Sequence, residues 1–163
     1  MASILFVCTA NRFRSPIAAL YFAREVVRCG DDHKITVSSA GTWAVSGMPA
    51  MPKAVQLGED FDLDLSFHKS RVITEEILSE SDLILVMEAG HKEAIIHEFP
   101  GTQGCVFLLT EAAGKLAVDI PDPYGEKHAQ PEDVVKEIID LVDDGYEQIL
   151  ALAKIMEGRR FHP

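Results

Sequence analysis

The sequence predicts an α/β fold, a compact four-stranded parallel sheet flanked by helices on both faces. Three observations lead there. Four short apolar runs alternate with stretches whose apolar residues repeat every three or four positions. That alternation implies right-handed βαβ crossovers and a parallel sheet covered on both sides. The chain has 163 residues with no repeat, low-complexity tract or linker, so one domain over 1–163 is expected.

Residues 4–8 (ILFVC) are apolar throughout and read as a buried strand. After Ser15-Pro16, Ile17, Leu20, Tyr21, Arg24 and Val27 recur at helical spacing, and Gly30 is the stop. Residues 34–39 (KITVSS) are β-branched and end at Ala40-Gly41, which reads as a second strand. A helix is expected over 51–58. A shorter one over 74–79 has Thr74 as N-cap and Glu75 and Glu76 in its positive first turn. Residues 83–87 (LILVM) are the most apolar run and read as a central strand, with helical 92–98 behind it. Residues 105–109 (CVFLL) are the fourth strand. From 131 to about 157 the stripe Val134, Ile138, Leu141, Val142, Ile149, Leu152 and Met156 predicts a long helix, with Gly145 the expected place of a kink.

Composition narrows the partners. Hydrophobic residues make up 47% and charged residues 25%, as in an ordinary soluble domain. Fifteen basic residues against 26 acidic ones leave a net charge of −11, a surface that repels nucleic acid and anionic lipid. An anionic ligand must therefore be held by a local cluster of donors. The opening MASILFVCTANR has no basic leader and too short an apolar run for a signal peptide. No stretch approaches the roughly 20 apolar residues of a membrane span. Cys8, Cys29 and Cys105 are too few and too scattered for a disulfide framework or zinc knuckle, so a cytoplasmic home is expected. Cys29 and Cys105 read as small buried hydrophobes.

Cys8 is different, because ligands of open parallel sheets bind beyond the carboxyl ends of the strands. It closes the first strand, and Arg14 and Ser15 come just before the helix. The spacing of five residues between Cys8 and Arg14 is weak evidence alone; its place between strand and helix strengthens it. Five residues let the backbone curl so that successive N–H groups point inward, a nest at a helix N-terminus that holds an oxyanion. Arg14 adds a bidentate fork to two phosphate oxygens. Cys8 at the base of this positive field is favoured as the nucleophilic thiolate, with the Ser15 hydroxyl as a donor to it. Asn11, in mid-loop, tolerates left-handed backbone. A second group must protonate the leaving oxygen, and VDIPDPYG (118–125) offers two. Asp122 is stiffened between Pro121 and Pro123, and Asp119 is its rival. Asp-Pro taken alone reads as a plain turn.

Together, VCTANRFRSP at the start, SSAGTWAVSG after the second strand, HKSRVIT in the middle and PDPYG late resemble the low-molecular-weight protein tyrosine phosphatase family, over essentially the whole chain. The resemblance implies a flavodoxin-like sheet of the phosphotyrosine phosphatase I type. It implies that Cys8 attacks phosphorus and forms a cysteinyl-phosphate, and that no metal or cofactor is needed. Arg14 and the loop Thr9, Ala10, Asn11, Arg12, Phe13 and Ser15 would bind the phosphoryl oxygens. Asp122 would be the general acid and base, and the substrate a phosphotyrosine-bearing protein or peptide. His68 and Arg71 match second-shell supports, and Trp43 and Tyr124 match aromatics walling the crevice. Without the resemblance, His68 is an ordinary histidine and Trp43 equally a core residue.

Some positions depart from the family's pattern. Phe13 stands where a second cysteine is frequent, which removes a protective disulfide and leaves the thiol open to overoxidation. Arg12 stands where an apolar residue is frequent, and predicts a preference for acidic residues near the phosphotyrosine. Met51 and Lys53 follow Gly47-Met48-Pro49 where acidic and arginine residues are common, read as altered local packing.

Four other readings compete. An arsenate reductase needs two relay cysteines. A protein arginine phosphatase calls for a small residue where Arg12 would repel a guanidinium. A phosphocysteine carrier domain has no need of Arg14 or Asp122. A non-catalytic phosphoprotein-binding module would lack the nucleophile or the acid. The sequence carries no signal for an oligomeric state.

Overall fold

The structure, a computed structural model, describes residues 1–159; residues 160–163 of the expected domain lie outside the described residues. Strands β1 (Ala2–Cys8), β2 (Ile35–Gly41), β3 (Leu83–Val86) and β4 (Val106–Leu108) form one parallel sheet in the order β2-β1-β3-β4. β1 pairs with β2 from Ala2↔Ile35 to Cys8↔Gly41, and with β3 from Ile4↔Leu83 to Val7↔Val86. Every residue of β3 and all but Ser3 of β1 are buried. These are the continuous apolar runs of strands covered on both faces. Burial of each large side chain, such as Phe6 or Leu85, contributes about 1.5–3 kcal/mol. After β2 the chain crosses β1 to build β3, so strand order reverses beside β1. The resulting crevice opens at the carboxyl ends of β1 and β3, where Cys8 lies.

Helix α1 (Arg14–Arg28) starts at the cradle and runs back along the sheet. Its buried face is Ile17, Ala18, Tyr21, Phe22, Glu25 and Val26; the expected stripe is rotated, since Leu20 lies at the margin and Val27 is 65% exposed. The cause is that α1 is covered by both β2 and the C-terminal helix, which widens and shifts its apolar face. Gly30 ends it at φ +75° in a Schellman motif, with Gly30 N–H bonded to Val27 O and Asp31 N–H to Val26 O. Helix α2 is Pro52–Glu59, and α3 is Glu75–Ser79, with the Thr74 hydroxyl accepting from Ile77 N at 3.2 Å. Helix α4 (Ala89–Glu98) begins three residues before the expected start, because Glu88 and His91 form a reciprocal capping box. After β4 a short helix, α5 (Leu109–Ala112), takes up Leu109, which was expected in the strand.

Helix α6 (Pro131–Met156) runs unbroken through Gly145. A Cβ there would lie 2.4 Å from the Cβ of Ala113, so this glycine admits the turn after α5 rather than marking a kink. Cys105 is buried, as expected, and burial pushes its thiol up to about 11. Cys29 is not buried: it caps the C-terminus of α1 and faces solvent. Among the described residues no helix is long and apolar enough to cross a membrane.

Candidate active site

The segment from Cys8 to Arg14 folds into the expected cradle, and its shape is set by Asn11. That residue is fully buried at φ +56°, the left-handed backbone that asparagine tolerates. Its Nδ2 donates to Ser15 Oγ and to Ser39 Oγ, both at 2.9 Å, and its Oδ1 accepts from Arg71 N–H at 3.0 Å. His68 Nε2 donates to the Asn11 carbonyl at 2.6 Å, and Arg71 Nε donates to Ser39 O at 2.8 Å. Gly41, beside Cys8 in the sheet, lets the loop close: a Cβ there would stand 2.4 Å from Thr9 O. Trp43 N–H and Thr42 N–H complete the tie by donating to Thr9 O and Cys8 O at 2.9 Å.

Cys8 Sγ lies 3.0 Å from Ser15 Oγ, in a site where Cys8 is only 3% exposed. Ser15 Oγ accepts from the Asn11 amide, and its own proton has two acceptors in reach, Cys8 Sγ at 3.0 Å and Ala40 O at 3.4 Å, of which sulfur is the nearer. The sulfur thus lies beside a hydroxyl and at the open, positive end of α1. Phe13, the residue before α1, makes no side-chain cap, so the helix's first N–H groups are not claimed by a neighbouring side chain.

Arg14 is 2% exposed yet charged, and its partners are correspondingly many. Nη1 is ion-paired with Glu88 and donates to Ile120 O at 2.8 Å. Nη2 lies 3.5 Å from Thr9 Oγ1 and 3.6 Å from Asp122 Oδ2. The other oxygen of Asp122 accepts from Tyr124 N–H at 2.9 Å, which fixes the carboxylate on its turn. Asp119, the rival acid, instead accepts from Ala89 N–H at the start of α4. Cys8, Ala10, Arg12, Phe13, Arg14, Met51, Asp122 and Tyr124 line one cleft of about 110 Å³. A larger groove of about 950 Å³ between α4 and β4 contains no cradle residue. We take the smaller cleft as the site because the nucleophile, cation and carboxylate meet there.

Of the residues singled out in the sequence, Cys8 through Ser15, Asp122 and Tyr124 come together, and His68 and Arg71 brace the loop from behind. Tyr124 packs edge-on against Phe13, ring centroids 5.7 Å apart. Trp43 is 84% exposed, which rules out the core reading; it adjoins the cradle through its backbone and does not line the cleft. Arg12 does line it, with Nε held by Pro49 O at 2.7 Å. Cys29 lies at the far end of the 15-residue α1, about 20 Å from the cradle at 1.5 Å per residue, and Cys105 precedes β4 at the opposite edge of the sheet. Neither can relay a disulfide from Cys8.

Sequence reasoning missed Glu88 and His91. Glu88 follows the second strand of the crevice just as Thr9 follows the first. The strand-end rule that singled out Cys8 would have found it.

Comparison with known proteins agrees with this geometry. The model of the low molecular weight phosphotyrosine protein phosphatase family matches residues 3–159. A probable low molecular weight protein-tyrosine-phosphatase, EpsP of Ralstonia nicotianae, is 35% identical over 150 residues, 92% of this chain and 97% of that protein. A protein-arginine-phosphatase of Bacillus subtilis is 34% identical over 139 residues, 83% of this chain and 91% of that protein. Among solved structures, the low molecular weight protein tyrosine phosphatase from T. tengcongensis matches with a TM-score of 0.82 at 32% identity, covering 91% of this chain and 99% of that one. The chain belongs to the low molecular weight phosphotyrosine protein phosphatase family.

Proposed function

We propose that this chain hydrolyses phosphate monoesters without a metal, through a cysteinyl-phosphate, and that its substrate is phosphotyrosine in proteins. The supporting observation is that Cys8 Sγ with its Ser15 donor, the Arg14 fork and the Asp122 carboxylate open onto a single cleft. In the first step the Cys8 thiolate attacks phosphorus in line, an S–P bond forms, and the P–O bond to the phenol breaks. Protonated Asp122 gives its proton to the departing oxygen. In the second step the Asp122 carboxylate takes a proton from water as that water attacks phosphorus. The S–P bond breaks, phosphate leaves, and the thiolate and protonated Asp122 are restored. Arg14 and the N–H groups from Thr9 to Ser15 hold the three phosphoryl oxygens and favour the charge distribution of the transition state. Tyr124 and Phe13, packed edge-to-face, give the cleft an aromatic wall against which a flat ring can lie. The free cysteines suit a reducing, cytoplasmic setting.

Phosphoarginine is the substrate class of some relatives, and one residue weighs against it here. Arg12 lines the cleft with its Nε held by Pro49 O, so a substrate guanidinium would meet a like charge there. The test is hydrolysis of an aryl phosphate with a chelator present by wild type and Cys8→Ser, followed by phosphotyrosyl and phosphoarginyl peptides. The expected result is chelator-insensitive turnover, lost in the variant, with phosphotyrosine preferred. No turnover by fully reduced protein would overturn the phosphatase reading; a larger kcat/KM on phosphoarginine would overturn the substrate assignment.

A further inference from the structure

Among the described residues, His91 is the buried histidine beside the cleft that the proposed chemistry leaves without a role. It is 6% exposed, at the third position of α4. Its Nδ1 lies 3.1 Å from Glu88 N, and a backbone N–H can only donate, so Nδ1 is the acceptor. The ring proton is therefore on Nε2, which lies 2.8 Å from Thr9 Oγ1 and donates to it. Burial and the charge of Arg14 hold His91 down at about 4, so this neutral tautomer persists at physiological pH.

The consequence is a closed ring. Arg14 Nη1 pairs with Glu88, Glu88 N–H bonds His91 Nδ1, His91 Nε2–H bonds Thr9 Oγ1, and Thr9 Oγ1 faces Arg14 Nη2 at 3.5 Å. The Thr9 hydroxyl thus receives donors from two sides, and its orientation is set by a helix on the other side of the crevice. Resting on the phosphatase reading, we propose that His91 is a positioning residue of the phosphate cradle, fixing the Thr9 hydroxyl and, with Glu88, the plane of the Arg14 fork. A fork turned out of plane still attracts a phosphate dianion but fits the transition state less well. The loss should therefore fall on kcat and spare KM.

The chemistry of asparagine and glutamine separates the two ends of the imidazole. His91→Asn keeps an acceptor near Nδ1 for Glu88 N–H and loses the reach to Thr9. His91→Gln extends an amide donor to the Nε2 position. The experiment measures aryl phosphate hydrolysis and thermal unfolding for wild type, both variants, Thr9→Val, and the double variant Thr9→Val/His91→Asn. His91→Asn is expected to lower kcat about tenfold with KM within about twofold, and His91→Gln to restore most of it. In the Thr9→Val background, His91→Asn should cost less than about twofold, because the bond it removes is already gone.

An equal fall in both backgrounds, or wild-type kcat in His91→Asn, would overturn the ring while wild-type turnover still stands. Absent wild-type turnover would count against the phosphatase reading itself. Should His91→Asn fail to fold, Thr9→Ser and Thr9→Val decide. The serine keeps the acceptor, so comparable kcat values for the two would overturn the proposal.

Discussion

Replacing Asn11 tests how the cradle is held. Asn11→Ala removes three side-chain hydrogen bonds, to Ser15, Ser39 and the Arg71 N–H, from a fully buried position. At about 1 kcal/mol each these contribute about 3 kcal/mol. The backbone at φ +56° adds about 1 kcal/mol against alanine, which tolerates the left-handed region less well than asparagine. The expected loss is about 4 kcal/mol, a large share of the 5–15 kcal/mol that holds a domain together, with Tm falling by about 10 °C. Urea unfolding with aryl phosphate kinetics on the same preparations measures both consequences. Asn11→Gly separates the contributions: it loses the same bonds without the backbone penalty and should be more stable than Asn11→Ala by about 1 kcal/mol. A loss under about 1 kcal/mol with normal kcat would show that the loop is held by its backbone ties alone, and would refute the hub assignment.

Other consequences follow from single residues. His91 is pushed down to about 4 from 6.5, so between those values the unfolded chain binds a proton that the folded chain excludes. Its contribution is whole above about pH 6.5 and is lost on acidification, roughly 2 kcal/mol between pH 7 and 5. Urea midpoints should show that extra acid sensitivity in wild type and not in His91→Gln; parallel curves would contradict it. Gly145→Ala gains about 1 kcal/mol of helix propensity but drives a Cβ into Ala113 and should lower Tm, whereas a simple kink site would be stabilised. Arg12→Gln should reduce the kcat/KM ratio of acidic to neutral phosphotyrosyl peptides by about fivefold, the worth of one exposed charge pair; an unchanged ratio would remove Arg12 from specificity.

What was legible in the sequence was local or periodic. The runs ILFVC and LILVM read as strands because burial on both faces leaves no alternation to misread, and Gly30 announced the end of α1 because only a left-handed residue completes its cap. The loop from Cys8 to Ser15 was legible because its parts are contiguous. What escaped depended on elements distant in the chain. The buried face of α1 is set jointly by β2 and α6, and Gly145 answers to Ala113. Cys29 looked like a core residue, but its place at the C-cap of α1 leaves it in solvent. Asp122 was preferred to Asp119 on its flanking prolines and the family resemblance, but the bond by which Ala89 N–H claims Asp119 was not legible. Glu88 and His91 reach Arg14 and Thr9 across 74 and 82 residues; the strand-end rule points to Glu88, but no spacing rule pairs either residue with its partner.

The account stands or falls on the covalent intermediate. Asp122→Ala should slow hydrolysis of the cysteinyl-phosphate more than its formation from an activated aryl phosphate, whose leaving group needs no proton. Rapid acid quench and peptide mass spectrometry of that variant should find one phosphoryl group on the peptide carrying Cys8, alongside a stoichiometric burst of the phenol. Linear phenol release with no adduct, or an adduct on a peptide without Cys8, would contradict it.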